Sequence, residues 1–320
     1  MTFLGGYVLE ILLYGALLLA QSGTTGKQFA MKKCGRIAPG PFNSVCINMA
    51  RSLICLLVSV VIWLATGGGA TTFAGHLIII ISGIGTAFNL FTWILSSRMV
   101  SLSLIECLMM VGSLVVPLIL APYLYDGDTV SFIQWVGCAL IFASVFLFID
   151  GGKKGEKKEG SALSKILVVT VCAIGIMVAS VFKKYYTYHI TAKGLGSIEY
   201  FTLINFVTVL SVFLILFVIY YSMERKKTAA LCTADERPRV EFPYKRAGLY
   251  IIIAAVSLYV AELFTSYAAQ LPSAIYYPLT RGLAMGCTFL LDVIVFKDKV
   301  TVKKITGLIT IVLAIVLVNL

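Results

Sequence analysis

Apolar positions follow one another in runs of about twenty residues, separated by short polar clusters, along nearly the whole chain. A helix crossing a hydrocarbon core of about 30 Å needs roughly 17 to 25 such residues. Ten runs reach that length: near 6–28, 44–66, 75–97, 101–122, 131–149, 165–187, 197–222, 247–270, 272–296 and 302–320. The pattern predicts an all-α polytopic membrane protein with ten transmembrane helices. The first run lacks a basic leader and a small-residue cleavage site, so it is expected to stay in the mature chain.

Composition agrees. Of 320 residues, 59% are hydrophobic and 13% charged, and the mean hydropathy is +0.96, which excludes a water-soluble globule. The net charge of +11 would suggest nucleic acid as partner in a soluble protein. Here the cations crowd into particular loops instead: Lys32, Lys33 and Arg36; Lys153, Lys154, Lys157 and Lys158; Arg225 to Lys227 with Arg237, Arg239, Lys245 and Arg246; and Lys297, Lys299, Lys303 and Lys304. All four groups fall on one side of a ten-span chain. The positive-inside rule makes that side cytoplasmic and puts both termini outside, with the plasma (inner) membrane as the expected location. The eight cysteines form no CxxC pair and lie mostly inside spans, as small packing residues rather than a disulfide frame.

The glycine-rich charged stretch GGKKGEKKEG divides the chain five spans from five. The expected organisation is an N-terminal repeat over 1–150, a linker over 151–164 and a C-terminal repeat over 165–320. Without gaps, SLSLIECLMMVGSL lies on LPSAIYYPLTRGLA, pairing Gly112 with Gly282. Farther along, Asp128 falls on Asp298 and Gly137 on Gly307. Other collinear matches lay Lys27 on Lys184, Asn48 on Asn205, and the NLFT of Asn89 to Thr92 on the ELFT of Glu262 to Thr265. Five spans per unit is odd, so the second unit enters from the opposite side. This is the inverted repeat of many secondary transporters, with a site at the repeat interface.

These features, above all LPSAIYYPLTRG, VFKDKVTVKKITG and the apolar last span, resemble the drug/metabolite transporter superfamily, in particular its ten-span, EamA-like branch. The acidic loop residue is Asp128 or Asp298 here instead of the commoner glutamate. The same tail is similar to the last two spans of the small multidrug resistance proteins, and the resemblance places Tyr277 on a tyrosine lining their chamber. LAQSGTTGK lies near the stretch that carries their proton-binding glutamate; Gln21 stands there and cannot titrate. The resemblance implies a carrier fold and cytoplasmic termini, the reverse of the lysine and arginine count.

Ionisable groups within spans cost at least about 2.5 kcal/mol at mid-bilayer and face the bundle interior. Counting 1.5 Å per residue from a tight turn near Leu271 and Pro272 puts Glu262 and Arg281 at a common depth of roughly 14 Å. They are expected to pair beside a central cavity, either closed permanently or opening to a charged substrate. Tyr259, Thr265 and Ser266 form a polar stripe around Glu262, Tyr276 and Tyr277 precede Arg281, and Pro278 is a candidate kink. Asn89 with Trp93, and the related pair Asn48 and Asn205, complete the candidate substrate-binding set with Gln21. Glu106 is expected to pair with Arg98, and Arg51 to snorkel to the cytoplasmic face. Lys27, Lys183, Lys184, His189, Glu199 and Asp292 lie near predicted helix ends and read as interfacial groups, with Tyr185, Tyr186 and Tyr188 in an interface belt.

The sequence contains no GxxxxGK[ST] phosphate loop and no HExxH motif, and His76 and His189 are its only histidines. ATP-driven transport and histidine-based metal chemistry therefore have no support, and no cofactor or metal is expected. The leading expectation is not an enzyme but a secondary carrier of a small polar or amphipathic metabolite, amino-acid-like or zwitterionic, with membrane lipid around it and a coupling ion as a further partner. A single chain carrying both repeats suits a monomer. An integral-membrane enzyme or lipid-handling protein with an interior Glu/Arg site is the alternative.

Overall fold

The computed structural model describes residues 2–99, 105, 109, 111–125, 131–148, 162–231, 244–297 and 300–318. Among them every regular element is helical. In chain order these are α1 (Thr2–Ile37), α2 (Pro41–Ala65), α3 (Phe73–Met99), α4 (a π turn, Val111–Val115, continuing as Val116–Leu124), α5 (Phe132–Phe148), α6 (Ala162–Tyr186, followed by a π turn, Thr187–Thr191), α7 (Ile198–Leu231), α8 (Tyr244–Ala268), α9 (Ser273–Ile294) and α10 (Val302–Val318). The linker 151–160, Asp128, Asp298, Glu106, Cys107 and Cys232 lie outside the described residues, as does the Arg98 side chain and hence its expected pairing with Glu106.

Chain breaks fall where backbone chemistry requires them. Gly40 precedes α2 at φ 108 and Pro41 occupies its first turn, where the missing N–H costs nothing. Beyond α2, Gly67 and Gly68 take φ 91 and 63, conformations that glycine adopts freely, and the Trp63 indole N–H donates to the Gly69 carbonyl at 2.8 Å. The α8–α9 turn lies where LPS predicts it, with Pro272 capping α9. Pro278 is inside α9, which nevertheless runs as one helix.

Five helical segments are long and apolar enough to cross a membrane: Pro41–Ala65, Phe73–Ser97, Leu167–Thr191, Ile198–Lys226 and Ala247–Ala268. Their outward faces stay apolar. Leu57, Val61 and Leu64 on α2, Ile215 and Val218 on α7, and Leu249 and Ile252 on α8 are all exposed. So broad an apolar surface is untenable in water and suits lipid. The chain is an integral membrane protein by this measure.

Inside, α1 packs along α8, α3 along α6, α2 against α7, and α5 against α10. Glycines permit two close crossings. Gly23 of α1 lies against the α8 backbone, and Gly85 of α3 against Gly175 of α6. The described cysteines are all free, and only Cys287 is not buried, in keeping with a packing role.

Candidate functional site

A cavity lies in the middle of the bundle, walled by α1, α3, α6, α8 and α9, with Met109 beside them. It leaves about 60 Å3 open to the centres of water-sized molecules. A single water needs roughly 10–15 Å3 on that measure, so the space suits several waters or one small solute. Its polar lining includes Lys27, Lys183, Arg281 and Glu262.

Helix length explains how these charges come to lie so deep. α1 continues to Ile37, leaving Lys27 about 15 Å from that end at 1.5 Å per residue. α6 runs on through its π turn to Thr191, so Lys183 is two turns inside the helix rather than at its tip. Glu262 and Arg281 approach from α8 and α9 on either side of the short turn.

The geometry corrects the expected pairing. Lys183, not Arg281, forms the ion pair with Glu262, and both side chains are largely buried, at 7% and 17% exposure. Arg281 shares the cavity and donates from Nη2 to the Ser180 hydroxyl at 3.2 Å. Of the other candidates, Gln21, Asn89, Trp93 and Tyr276 line the space. The Asn89 amide donates to the Cys172 carbonyl at 3.1 Å. The Gln21 side-chain oxygen is buried and has no hydrogen-bond partner among the described residues.

Four candidates lie elsewhere. Tyr277 sits in the core cluster of α4, α5, α9 and α10, its hydroxyl 3.4 Å from that of Tyr125. Tyr259 stacks on Phe206. Asn48 donates to the Ser44 carbonyl at 2.9 Å and accepts from Arg51. Asn205 is buried on α7 outside the lining. Arg51 does not snorkel; it is 1% exposed, held by Asn48 one turn away.

The groups expected at the interfaces have specific partners within the protein. Lys184 is buried and donates to the Leu271 carbonyl at 2.7 Å and the Ala269 carbonyl at 3.3 Å, tying α6 to the α8–α9 turn. Glu199 accepts from the Tyr267 hydroxyl, and His189 contacts the Leu124 carbonyl at 2.7 Å. Tyr186 is fully buried against Phe201, whereas Tyr188 remains exposed. Asp292 pairs with Lys32 at 3.0 Å, and Lys32 stands 3.8 Å over the Phe296 ring. Next to that pair the Thr288 hydroxyl donates to Gln28 at 2.6 Å. These contacts seal the α1–α9 seam beyond Lys27, towards the C-terminal end of α9.

Lys184→Met is expected to leave turn carbonyls short of a donor and lower stability by about 1–3 kcal/mol. A wild-type melting curve for that variant would remove Lys184 from the support of the turn. Sequence reasoning missed Lys183 and Lys27 as cavity residues. The signal was present, because the repeat alignment had already set Lys27 beside the Lys183–Lys184 dipeptide.

Among the described residues no group of three or more His, Cys, Asp or Glu side chains is placed to hold a metal ion. No family model and no curated protein sequence matches the chain. Its fold does match solved structures. One, described only as "Crystal structure of protein", aligns with a TM-score of 0.62 over 96% of this chain and 98% of its own, at 14% identity. That likeness speaks to the fold alone.

Proposed function

We propose that the chain is a secondary carrier of ten spans, built as two inverted five-helix repeats, which moves a small polar metabolite by alternating access around the central cavity. The observation that carries this reading is that related positions of the two halves meet in one charged space. Asn89 of α3 and Glu262 of α8, aligned by NLFT and ELFT, line it together, and Lys27 of α1 lines it with Lys183 of α6, the chain neighbour of its aligned mate Lys184. Helix packing has the same character. Exchanging the halves turns the α1–α8 contact into the α6–α3 contact and returns α2–α7 and α5–α10 to themselves. Such pseudo-symmetry lets two nearly equivalent packings exchange access to a fixed midplane site. The Lys32–Asp292 seam then serves as the closed side of one state. The loop cations support a plasma-membrane orientation with both termini outside.

The test is counterflow with purified protein in sealed liposomes. Labelled solute is expected to accumulate only in vesicles preloaded with the same unlabelled solute. Chemical conversion of solutes without any flux would instead establish the membrane-enzyme alternative.

A further inference from the structure

The cavity's charges do not balance. Among the described residues its lining holds three cations, Lys27, Lys183 and Arg281, against one carboxylate, Glu262. Asp292 and Glu199 are not in the lining; Asp292 pairs with Lys32, and Glu199 accepts from Tyr267. Counting Glu106, outside the described residues, as a second carboxylate still leaves a cation in excess. Within a bilayer such an excess is costly unless an anion offsets it.

Hydrogen-bonding capacity points the same way. The hydroxyls of Thr24 and Thr280 donate to the carbonyls of Ala20 and Tyr276 on their own helices, so they have only lone pairs to offer the cavity. The strongest donors for an oxyanion are then the cations. Arg281 has a planar fork of N–H groups suited to a carboxylate or phosphate, and one of its nitrogens already bonds Ser180. The buried Gln21 oxygen, 3% exposed as a residue and without a partner among the described residues, asks for a donor in return.

Resting on the carrier reading, we infer that the solute bears net negative charge, with a carboxylate or phosphate group held by Arg281 and Lys27, and carries a hydroxyl or amine that donates to Gln21. The Lys183–Glu262 pair supplies the opposite wall. A simple zwitterion would leave the excess cation without an offset.

The test reads binding separately from flux. Full-length protein in detergent is titrated with malate, succinate, glycerol phosphate, inorganic phosphate, alanine and lysine, and affinity is read from the shift in melting temperature. Malate or glycerol phosphate is expected to bind at least about tenfold more tightly than alanine or lysine. The malate and glycerol phosphate arms separate carboxylate from phosphate recognition. Arg281→Ala is expected to weaken anion binding about tenfold or more, and Arg281→Lys to restore part of it. Lys27→Ala gives a second charge deletion should Arg281→Ala fail to fold. Gln21→Leu should abolish the preference for malate over succinate while succinate still binds.

Alanine or lysine binding as tightly as the anions, unchanged anion affinity in both charge deletions, or no anion binding up to about 10 mM would each overturn the inference. Anion binding with no counterflow refutes the carrier and spares the site chemistry. Counterflow of alanine or lysine without anion preference does the reverse.

Discussion

Glu262→Gln is expected to lower the stability of the purified protein by about 3–5 kcal/mol, the usual consequence of removing one partner from a buried ion pair, and to abolish counterflow. Lys183 has little access to solvent, and its neighbours in the cavity include two further cations. A neutral amide accepts a hydrogen bond but offsets no charge, so three cations would face one another without a carboxylate from α8. The double variant Lys183→Met with Glu262→Met should be more stable than either single variant, because it removes the charge along with its partner. Thermal unfolding of the four proteins measures this directly. Strictly additive losses would mean that the two side chains act independently, and the ion pair would lose its place at the centre of the site.

A second large effect is expected where two helices touch backbone to backbone. A methyl group at Gly175 would come within 2.7 Å of the Asn89 backbone nitrogen and 2.8 Å of the Gly85 carbonyl; one at Gly23 would come within 2.6 Å of the Ser257 carbonyl and 2.7 Å of the Ala261 nitrogen. Neither neighbour can rotate away, as a flexible side chain would. Gly175→Ala should therefore destabilise by about 1–3 kcal/mol, and Gly175→Val should prevent folding. Asn89 and Ala261 both line the cavity, so forcing these crossings apart also widens the site. The control is Gly15→Ala, which meets nothing within 4 Å and should hold or raise the melting temperature, since alanine is the better helix former. Equal melting points for Gly15→Ala and Gly175→Ala would show that the α3–α6 approach tolerates separation.

The sequence made the helices legible because the apolar runs are long and the breaks chemically strong. Pro41, the Gly67–Gly68 pair and Pro272 stand where the chain turns. Depth counting also brought Glu262 and Arg281 into one cavity. It failed on the partner because it placed charges by distance from the ends of apolar runs, whereas α1 and α6 remain helical well past those ends. Lys27 and Lys183, read as interfacial groups near helix ends, are held in the interior by that extra length. The four candidates outside the cavity were chosen on residue type and on position, whether along the helix from Glu262 (Tyr259), in the repeat (Asn48, Asn205) or in the resemblance (Tyr277). Neither property reports which way a side chain turns, and packing sent Tyr259 and Tyr277 into apolar clusters while Asn48 went to Arg51.

The π turns at Val111–Val115 and Thr187–Thr191 alter how any aligned sequence must be drawn. Each fits one residue more into its turn than an α-helix would, so a helical wheel carried through it is out of phase by about 100° afterwards. Tyr125 follows the first turn and Tyr188 lies within the second, and their rings meet edge to face at 5.7 Å. A wheel phased on Lys183 alone would assign Tyr188 to the wrong face. Comparisons of this region therefore need separate wheels before and after each turn, and a one-residue gap placed there by an alignment marks a change of helical phase rather than a lost contact.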